Sequence, residues 1–333
     1  MTEVGIALVL LSGICNGLFA VPIKLIRHWK WENLWLVFVL TSCVVVPIIV
    51  GWVTLAQYPE LLQRAPRGAI GAALSFGFLW GFGAILFGLS LDRLGVALSN
   101  SLVLGLSGAL GSIVPLLLGR GLSLESRDFV LLAGVCGFLG GVWLCGAAGR
   151  LRDGVRTLQP DSSHPWSGFL FAVGAGAMSA VFNIGFSLAL PISESGERLG
   201  ASGFEATNCI WLLMLTAGSI PNLAFCFYLL RKNRSAGLFF SKQPMRGCGL
   251  AVLAGLLWAG SIFLYGAAAR MLGDRGPAIG WPASLSVALL VANLAGLVLG
   301  EWRDAPRQAV RYMRLGILTL LAAILMCAFS TRA

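Results

Sequence analysis

The sequence predicts an all-α integral membrane protein with ten transmembrane helices in two inverted repeats of five. Three observations carry that prediction. Hydrophobic residues make up 57% of the 333-residue chain and charged residues 11%, less than half the charge of a typical soluble domain, and no water-soluble fold of this size hides that much apolar surface. Apolar runs of about 20 residues, the length that crosses a bilayer core, recur ten times. Residues of the first half also recur at fixed offsets in the second.

The runs fall near 4–26, 33–56, 69–91, 95–118, 127–148, 167–190, 206–230, 248–271, 277–299 and 309–329. No basic segment precedes the first run, which is too long for a signal-peptide core and reads as a retained helix. Helices 3 and 4 are parted only by Asp92-Arg93-Leu94, and helices 8 and 9 by Gly273-Asp274-Arg275-Gly276, both tight turns. Helix 5 lines up Gly134, Gly137 and Gly141, a surface fit for helix packing or for a homodimer contact. The longest polar stretch, Arg150 to Pro165, divides the chain into a first repeat at 1–149, a cytoplasmic linker at 150–166 and a second repeat at 167–333.

Trp80, Gly88 and Gly95 match Trp258, Gly266 and Gly273 at an offset of 178, and Phe87 meets Tyr265. Ser12, Asn16 and Phe19 match Ser179, Asn183 and Phe186 at an offset of 167. A unit of five helices is odd, so its copy enters the membrane from the opposite side. Inverted repeats are typical of transporters, whose halves exchange shapes around a central site. Of the 24 Lys and Arg residues, sixteen fall in the odd-numbered gaps, among them Arg93, Arg156, Lys242 and Arg307. That excess faces the cytoplasm, which puts both termini on the extracytoplasmic side of a multi-pass inner-membrane protein.

The net charge of +10 is no sign of a nucleic-acid partner, because the basic residues sit in short gaps where they encode topology. The eight cysteines form no CxxC or Cys/His cluster, so neither a disulfide framework nor a metal is expected. Gly105-Leu106-Ser107-Gly108 is a GxSG string inside a membrane helix. A serine nucleophile needs a histidine base within reach, and the two histidines, His28 and His164, lie in predicted loops. The string reads instead as a small-residue packing surface. No P-loop, HExxH or paired-carboxylate signature appears, and no cofactor is expected.

The polar residues within the apolar runs are the candidates for chemistry. A buried amide in lipid must find a partner or face water. Asn16 and its repeat mate Asn183 lie mid-helix, with Asn100, Asn208, Asn222 and Asn293 elsewhere. An amide offers both donors and an acceptor to a hydroxyl-rich ligand; the competing role is an interhelical hydrogen bond. Trp80, Trp258, Trp281 and Tyr265 can stack a sugar ring or pack against neighbours. Ionisable groups sit only at run ends. Glu32 and Glu205 are rough repeat mates at opposite boundaries, readable as proton-coupling carboxylates or as charges favoured at helix N-termini. Lys24 is a gate residue or a snorkelling anchor.

Gly17-Leu18-Phe19-Ala20-Val21-Pro22-Ile23-Lys24, running on to Trp29-Lys30-Trp31-Glu32-Asn33-Leu34-Trp35, resembles the start of the bacterial L-rhamnose–proton symporter family. Leu79-Trp80-Gly81 with Gly88, the stretch from Asn222 to Phe227, and Gly296-Leu297-Val298-Leu299 followed by Glu301-Trp302 are similar to it as well. The resemblance is collinear over nearly the whole chain. It implies membership of the drug/metabolite transporter superfamily, with ten helices in two inverted repeats and a midplane site between helices 1–4 and 6–9. Gly83-Ala84-Ile85-Leu86 stands where the family carries asparagines, and Pro282 where it carries an apolar pair. Fewer amides imply fewer hydrogen bonds to a hexose. The expected activity is secondary transport of L-rhamnose or a related monosaccharide, coupled to protons. The alternatives are an exporter of amino acids or small metabolites, an intramembrane enzyme, whose catalytic residues are missing, and a membrane scaffold.

Overall fold

The computed structural model describes residues 2–54, 58–94, 96–118, 126–153, 165–240 and 243–330, and over these the chain is helical with no strand. Gly95, Arg156, His164, Lys242 and most of the 150–166 linker lie outside the described residues. Among the described residues ten helices are long and apolar enough to cross a membrane, which makes this a multi-pass membrane protein. We number them in chain order. α1 (Thr2–Leu18) resumes after Phe19 as Ala20–Lys24; Pro22 supplies no N–H to the carbonyl of Leu18, and the helix breaks there. α2 runs Trp31–Val39, widens to a π-helix over Leu40–Val45 and ends Val46–Thr54, the wide turn lying just ahead of Pro47. The others are α3 (Arg67–Leu94), α4 (Val96–Leu118), α5 (Ser126–Asp153), α6 (Pro165–Arg198), α7 (Gly203–Lys232), α8 (Pro244–Met271), α9 (Gly276–Val298) and α10 (Arg307–Phe329).

α6 outruns the expected 167–190 by eight residues at its C-terminal end. Its charged Glu194 and Glu197 look like a loop in sequence, yet Ile192 and Ser193 just before them and Ser195 and Gly196 between them are buried. A short helix, Tyr58–Arg64, escapes a search for apolar runs. It lays Leu61 on Gly196, where an added Cβ would stand 2.9 Å from the Leu61 side chain.

Each helix of the first half has a counterpart contact in the second. α1 packs on α8 and α9, and α6 packs on α3 and α4. α2 meets α7, α4 meets α9, and α5 lies along α10. Gly17 lets α1 close on α9: a Cβ there would stand 2.6 Å from the Ala288 carbonyl. The glycine face of α5 is filled by α10 of the same chain, with Gly134 against Cys327, Gly137 against Ala323 and Gly141 against Leu320. Helix packing, one of the two expected uses of that face, is the one the fold makes of it.

The two ends of the bundle differ. Where α8 ends and α9 begins, every residue from Ile279 to Ala288 is buried, as are Ser261–Phe263 and Tyr265–Ala269. Toward the other end, Asn16 and Phe19 on α1, Asn100 to Leu104 on α4 and Leu289 to Asn293 on α9 are only half-buried. One half of the bundle is packed shut and the other is loose.

Candidate functional site

The shut half is laced by hydrogen bonds centred on Asn183. Its Nδ2 donates to the carbonyls of Gly111 (2.6 Å) and Pro277 (3.0 Å), and its Oδ1 accepts from the Tyr265 hydroxyl. One amide therefore joins α6 to α4, α8 and α9. Trp281 donates through Nε1 to the Ser107 carbonyl at 3.2 Å, and the Ser107 and Ser179 hydroxyls are 2.8 Å apart. The Ser112 hydroxyl reaches the Ala278 carbonyl at 2.5 Å. Gly111 makes room for Trp281, whose Cδ1 would stand 2.6 Å from an added Cβ. Two ion pairs close the rim: Arg270 grips Glu197 through two bonds of 2.8 and 2.7 Å, and Arg275 meets Asp128, 1% exposed, at 2.6 Å. The Asn183–Gly111 and Ser107–Ser179 contacts join α6 to α4; the others tie α8, α9 or the turn between them to α4, α5 or α6.

Ser107 is thus engaged by Ser179 and Trp281, and the GxSG string serves packing and hydrogen bonding. Gly108 leaves space for the Phe138 ring beside it.

Above this floor a ladder of rings crosses the bundle. Phe19 of α1 lies 5.8 Å from Phe38 of α2, Phe38 5.9 Å from Trp258 of α8, and Trp258 stacks on Trp80 of α3 at 5.5 Å with the planes 10° apart. Trp80 continues to Phe182 of α6 at 4.7 Å. The two tryptophans are half-buried, so part of each ring is left uncovered. Asn16, one turn before Phe19 on the same helix face, is half-buried and makes no hydrogen bond among the described residues.

The structure brings together some of the residues singled out in the sequence and separates others. Asn183, Tyr265 and Trp281 belong to the shut half; Asn16, Trp80 and Trp258 face the loose half. Asn16 and Asn183 do not meet. Asn183 sits at the first turn of α9, while Gly17, next to Asn16, touches Ala288 and Val291, about three turns further along. Asn208 is buried near the start of α7 and donates to Thr54 Oγ1 at 3.0 Å, fastening α7 to the end of α2. Asn222 is buried on the same helix, accepting from Trp35 Nε1 and donating to the Gly81 carbonyl, both at 3.0 Å.

The three charged candidates have distinct surroundings. Glu205 closes a capping box: its backbone N–H donates to Ser202 Oγ at 3.3 Å and its carboxylate accepts from the Ser202 N–H at 2.8 Å. This satisfies two orphan donors at the α7 N-terminus. A glutamine at 205 keeps both bonds, so Glu205→Gln is expected to leave pH-gradient-driven uptake at the wild-type level; a loss of gradient dependence with normal exchange would give the residue a coupling role. Glu32 is 3% exposed, and its Oε1 accepts from Asn233 Nδ2 (2.9 Å) and Ser235 Oγ (2.6 Å), joining the start of α2 to the segment after α7. Lys24 pairs with Glu301 at 2.6 Å, and Arg152 approaches the same carboxylate at 3.3 Å while lying over the Trp302 ring.

Glu301 is the residue that sequence reasoning passed over, since a glutamate in a polar gap looks solvated. The available signal was Gly300. With φ at 76° it takes the left-handed turn that ends α9, and the Glu301 N–H returns to the Gly296 carbonyl. This C-terminal motif folds the carboxylate back over Gly296 rather than out into water.

Comparison with known proteins matches residues 1–331 to the family model for the L-rhamnose-proton symport protein (RhaT). The chain is 26% identical over 327 residues to the L-rhamnose-proton symporter of Cronobacter sakazakii, covering 96% of this chain and 95% of that one. It is 26% identical over 323 residues to the protein of the same name from Escherichia coli O1:K1, covering 94% of each. Against the one from Klebsiella pneumoniae it is 25% identical over 322 residues, again covering 94% of each.

Proposed function

The chain belongs to the L-rhamnose-proton symport protein family, and from that premise we propose that it carries L-rhamnose or a related monosaccharide across the inner membrane together with protons. The observation that carries the reading is the half-buried Trp80–Trp258 stack lying between a shut half and a loose half, with the free amide of Asn16 on the loose side. Aromatic faces bind the C–H faces of a sugar ring, and an amide reads its hydroxyls. Apolar Gly83-Ala84-Ile85-Leu86 and Ser261, whose hydroxyl is spent on the Trp258 carbonyl at 2.7 Å, leave few further polar groups for a hydroxyl-rich ligand.

The packing supports an inverted repeat and, with it, a place in the drug/metabolite transporter superfamily. Exchanging each helix with the one five places on maps α1 on α8 and α9 to α6 on α3 and α4, and maps the α2–α7, α4–α9 and α5–α10 contacts onto themselves. The polar stretch at 150–166 then joins repeats at 1–149 and 167–333. In the orientation that places the basic gaps in the cytoplasm, the shut half is extracytoplasmic, both termini are outside, and this is an inward-facing state. A cysteine placed at exposed Gly237 is expected to escape a membrane-impermeant thiol reagent in intact cells, and one at Arg198 to be labelled; the reverse result inverts the topology.

Within this reading Glu32 is the coupling carboxylate, and Lys24, with Glu301 and Arg152, gates the cytoplasmic end. Protonating Glu301 breaks two ionic contacts, whereas the two side-chain donors on Glu32 Oε1 are neutral. A contact between copies through α5 and α10 has only their outer faces left, where Trp143 and Leu325 stand exposed. The test is uptake of labelled L-rhamnose into proteoliposomes under an imposed pH gradient, with other deoxyhexoses and pentoses as competitors. Uphill accumulation that collapses with the gradient is expected. Monosaccharides that neither enter nor compete overturn the proposal.

A further inference from the structure

A recess of about 360 Å³ opens between the α1–α2 turn and the start of α8. Its polar wall is made by Arg27, His28, Gln243 and Arg246, and no acidic residue lines it. Neither arginine has a carboxylate partner among the described residues, in contrast to Lys24, Arg152, Arg270 and Arg275, which are all paired. Gln243 takes a left-handed backbone (φ 59°) and Pro244 starts α8 directly behind it. The start of α8, whose first N–H groups lack intrahelical acceptors, therefore borders the recess through Gln243 and Arg246. Two arginines and a helix N-terminus without a counter-charge favour an anion, and guanidinium forks fit phosphate oxygens.

The rest of the lining includes apolar Leu25, Ile26, Trp29 and Leu250. Trp29 is fixed there by edge contact with Phe239 at 5.2 Å and by Gly247, where an added Cβ would stand 2.9 Å from the indole. The recess lies where α1 ends, α2 begins and α8 begins, at the boundary of three spanning segments. Topology alone accounts for basic residues at such a boundary, but it does not account for a cavity lined both by two arginines without carboxylate partners, Arg246 donating only to Gln243 at 3.4 Å, and by apolar side chains. That combination matches an amphiphile with a phosphate head.

We propose that this recess binds the phosphate of an anionic phospholipid, Arg27 and Arg246 holding the phosphate oxygens while Leu25, Ile26 and Leu250 line the first methylenes of the acyl chain. The same chemistry accepts free phosphate, so the test separates the two sources. Thermal unfolding of the delipidated full-length protein is followed in detergent with phosphatidylglycerol, with phosphatidylcholine, and with inorganic phosphate. Phosphatidylglycerol is expected to raise the melting temperature where the other two do not. The rise is expected to vanish in R27Q/R246Q and to survive in R311Q/R314Q, which removes equal charge from the exposed start of α10. Should the first double variant fail to fold, a photoactivatable phosphatidylglycerol is cross-linked to the wild-type protein, with adducts expected in residues 25–29 or 243–250. An equal response to inorganic phosphate overturns the lipid assignment. A response unchanged in R27Q/R246Q, or adducts confined to other segments, overturns the site.

Discussion

Replacing Asn183 with leucine is expected to lower transport by about a hundredfold or more and to loosen the shut half of the bundle. The amide serves α4, α8 and α9 at once, through the Gly111 and Pro277 carbonyls and the Tyr265 hydroxyl. Leucine fills similar space but leaves three buried polar groups unmatched, each at a cost of roughly 1–3 kcal/mol. Tyr265 recovers part of this, because its hydroxyl lies 3.4 Å from the Pro277 carbonyl. A net loss near 3 kcal/mol corresponds to about two orders of magnitude in the population of the shut state. The check is paired: sugar flux in proteoliposomes, and thiol labelling of a cysteine at buried Ser112, which is expected to become reactive only in the variant. Asn16→Leu is the contrasting case. Asn16 holds nothing in this state, so the fold and the Ser112 label stay unchanged while substrate affinity falls about tenfold. If the repeats exchange roles during transport, Asn16 takes up in the opposite state the bonds that Asn183 makes here. Equal effects of the two substitutions on the Ser112 label would overturn this division of labour.

Glu32→Gln is expected to abolish sugar accumulation driven by a pH gradient while exchange of internal for external sugar continues. The glutamine side chain still accepts from Asn233 and Ser235 at its carbonyl oxygen, so the α2–α7 junction survives. What is lost is the ability to change charge. A buried carboxylate in a spanning helix, with neutral hydrogen-bond donors and no ion pair within 4.0 Å among the described residues, can exchange a proton without breaking a direct salt bridge. Removal of a merely structural acid slows exchange and accumulation together. Accumulation at the wild-type level assigns Glu32 to the junction alone and sends the proton by another route.

The spanning helices were readable because the bilayer imposes length and apolarity on each of them separately. The misses follow from the same rule. The C-terminal eight residues of α6 and the short Tyr58–Arg64 helix lie at the membrane edge, where charged residues return and apolar length ceases to report structure. The 178-residue offset names Trp80 and Trp258 as mates, and they stack face to face. The 167-residue offset names Asn16 and Asn183 with equal force, yet their surroundings are opposite. An offset carries chemical likeness, while the packing around each residue is decided by which helices stand opposite it.

By itself the sequence determined that this chain is a ten-helix membrane protein resembling a proton–sugar symporter, since segment hydrophobicity and motif order are properties of the chain alone. The tertiary structure decided which amide locks a half and which is free, that Glu205 caps a helix, and that Glu301 answers Lys24 from 277 positions away. Two of the three partners of Asn183 are backbone carbonyls, which every residue has and no sequence marks, and whether a polar group in lipid is a lock or a site depends on what stands opposite it once the helices have packed.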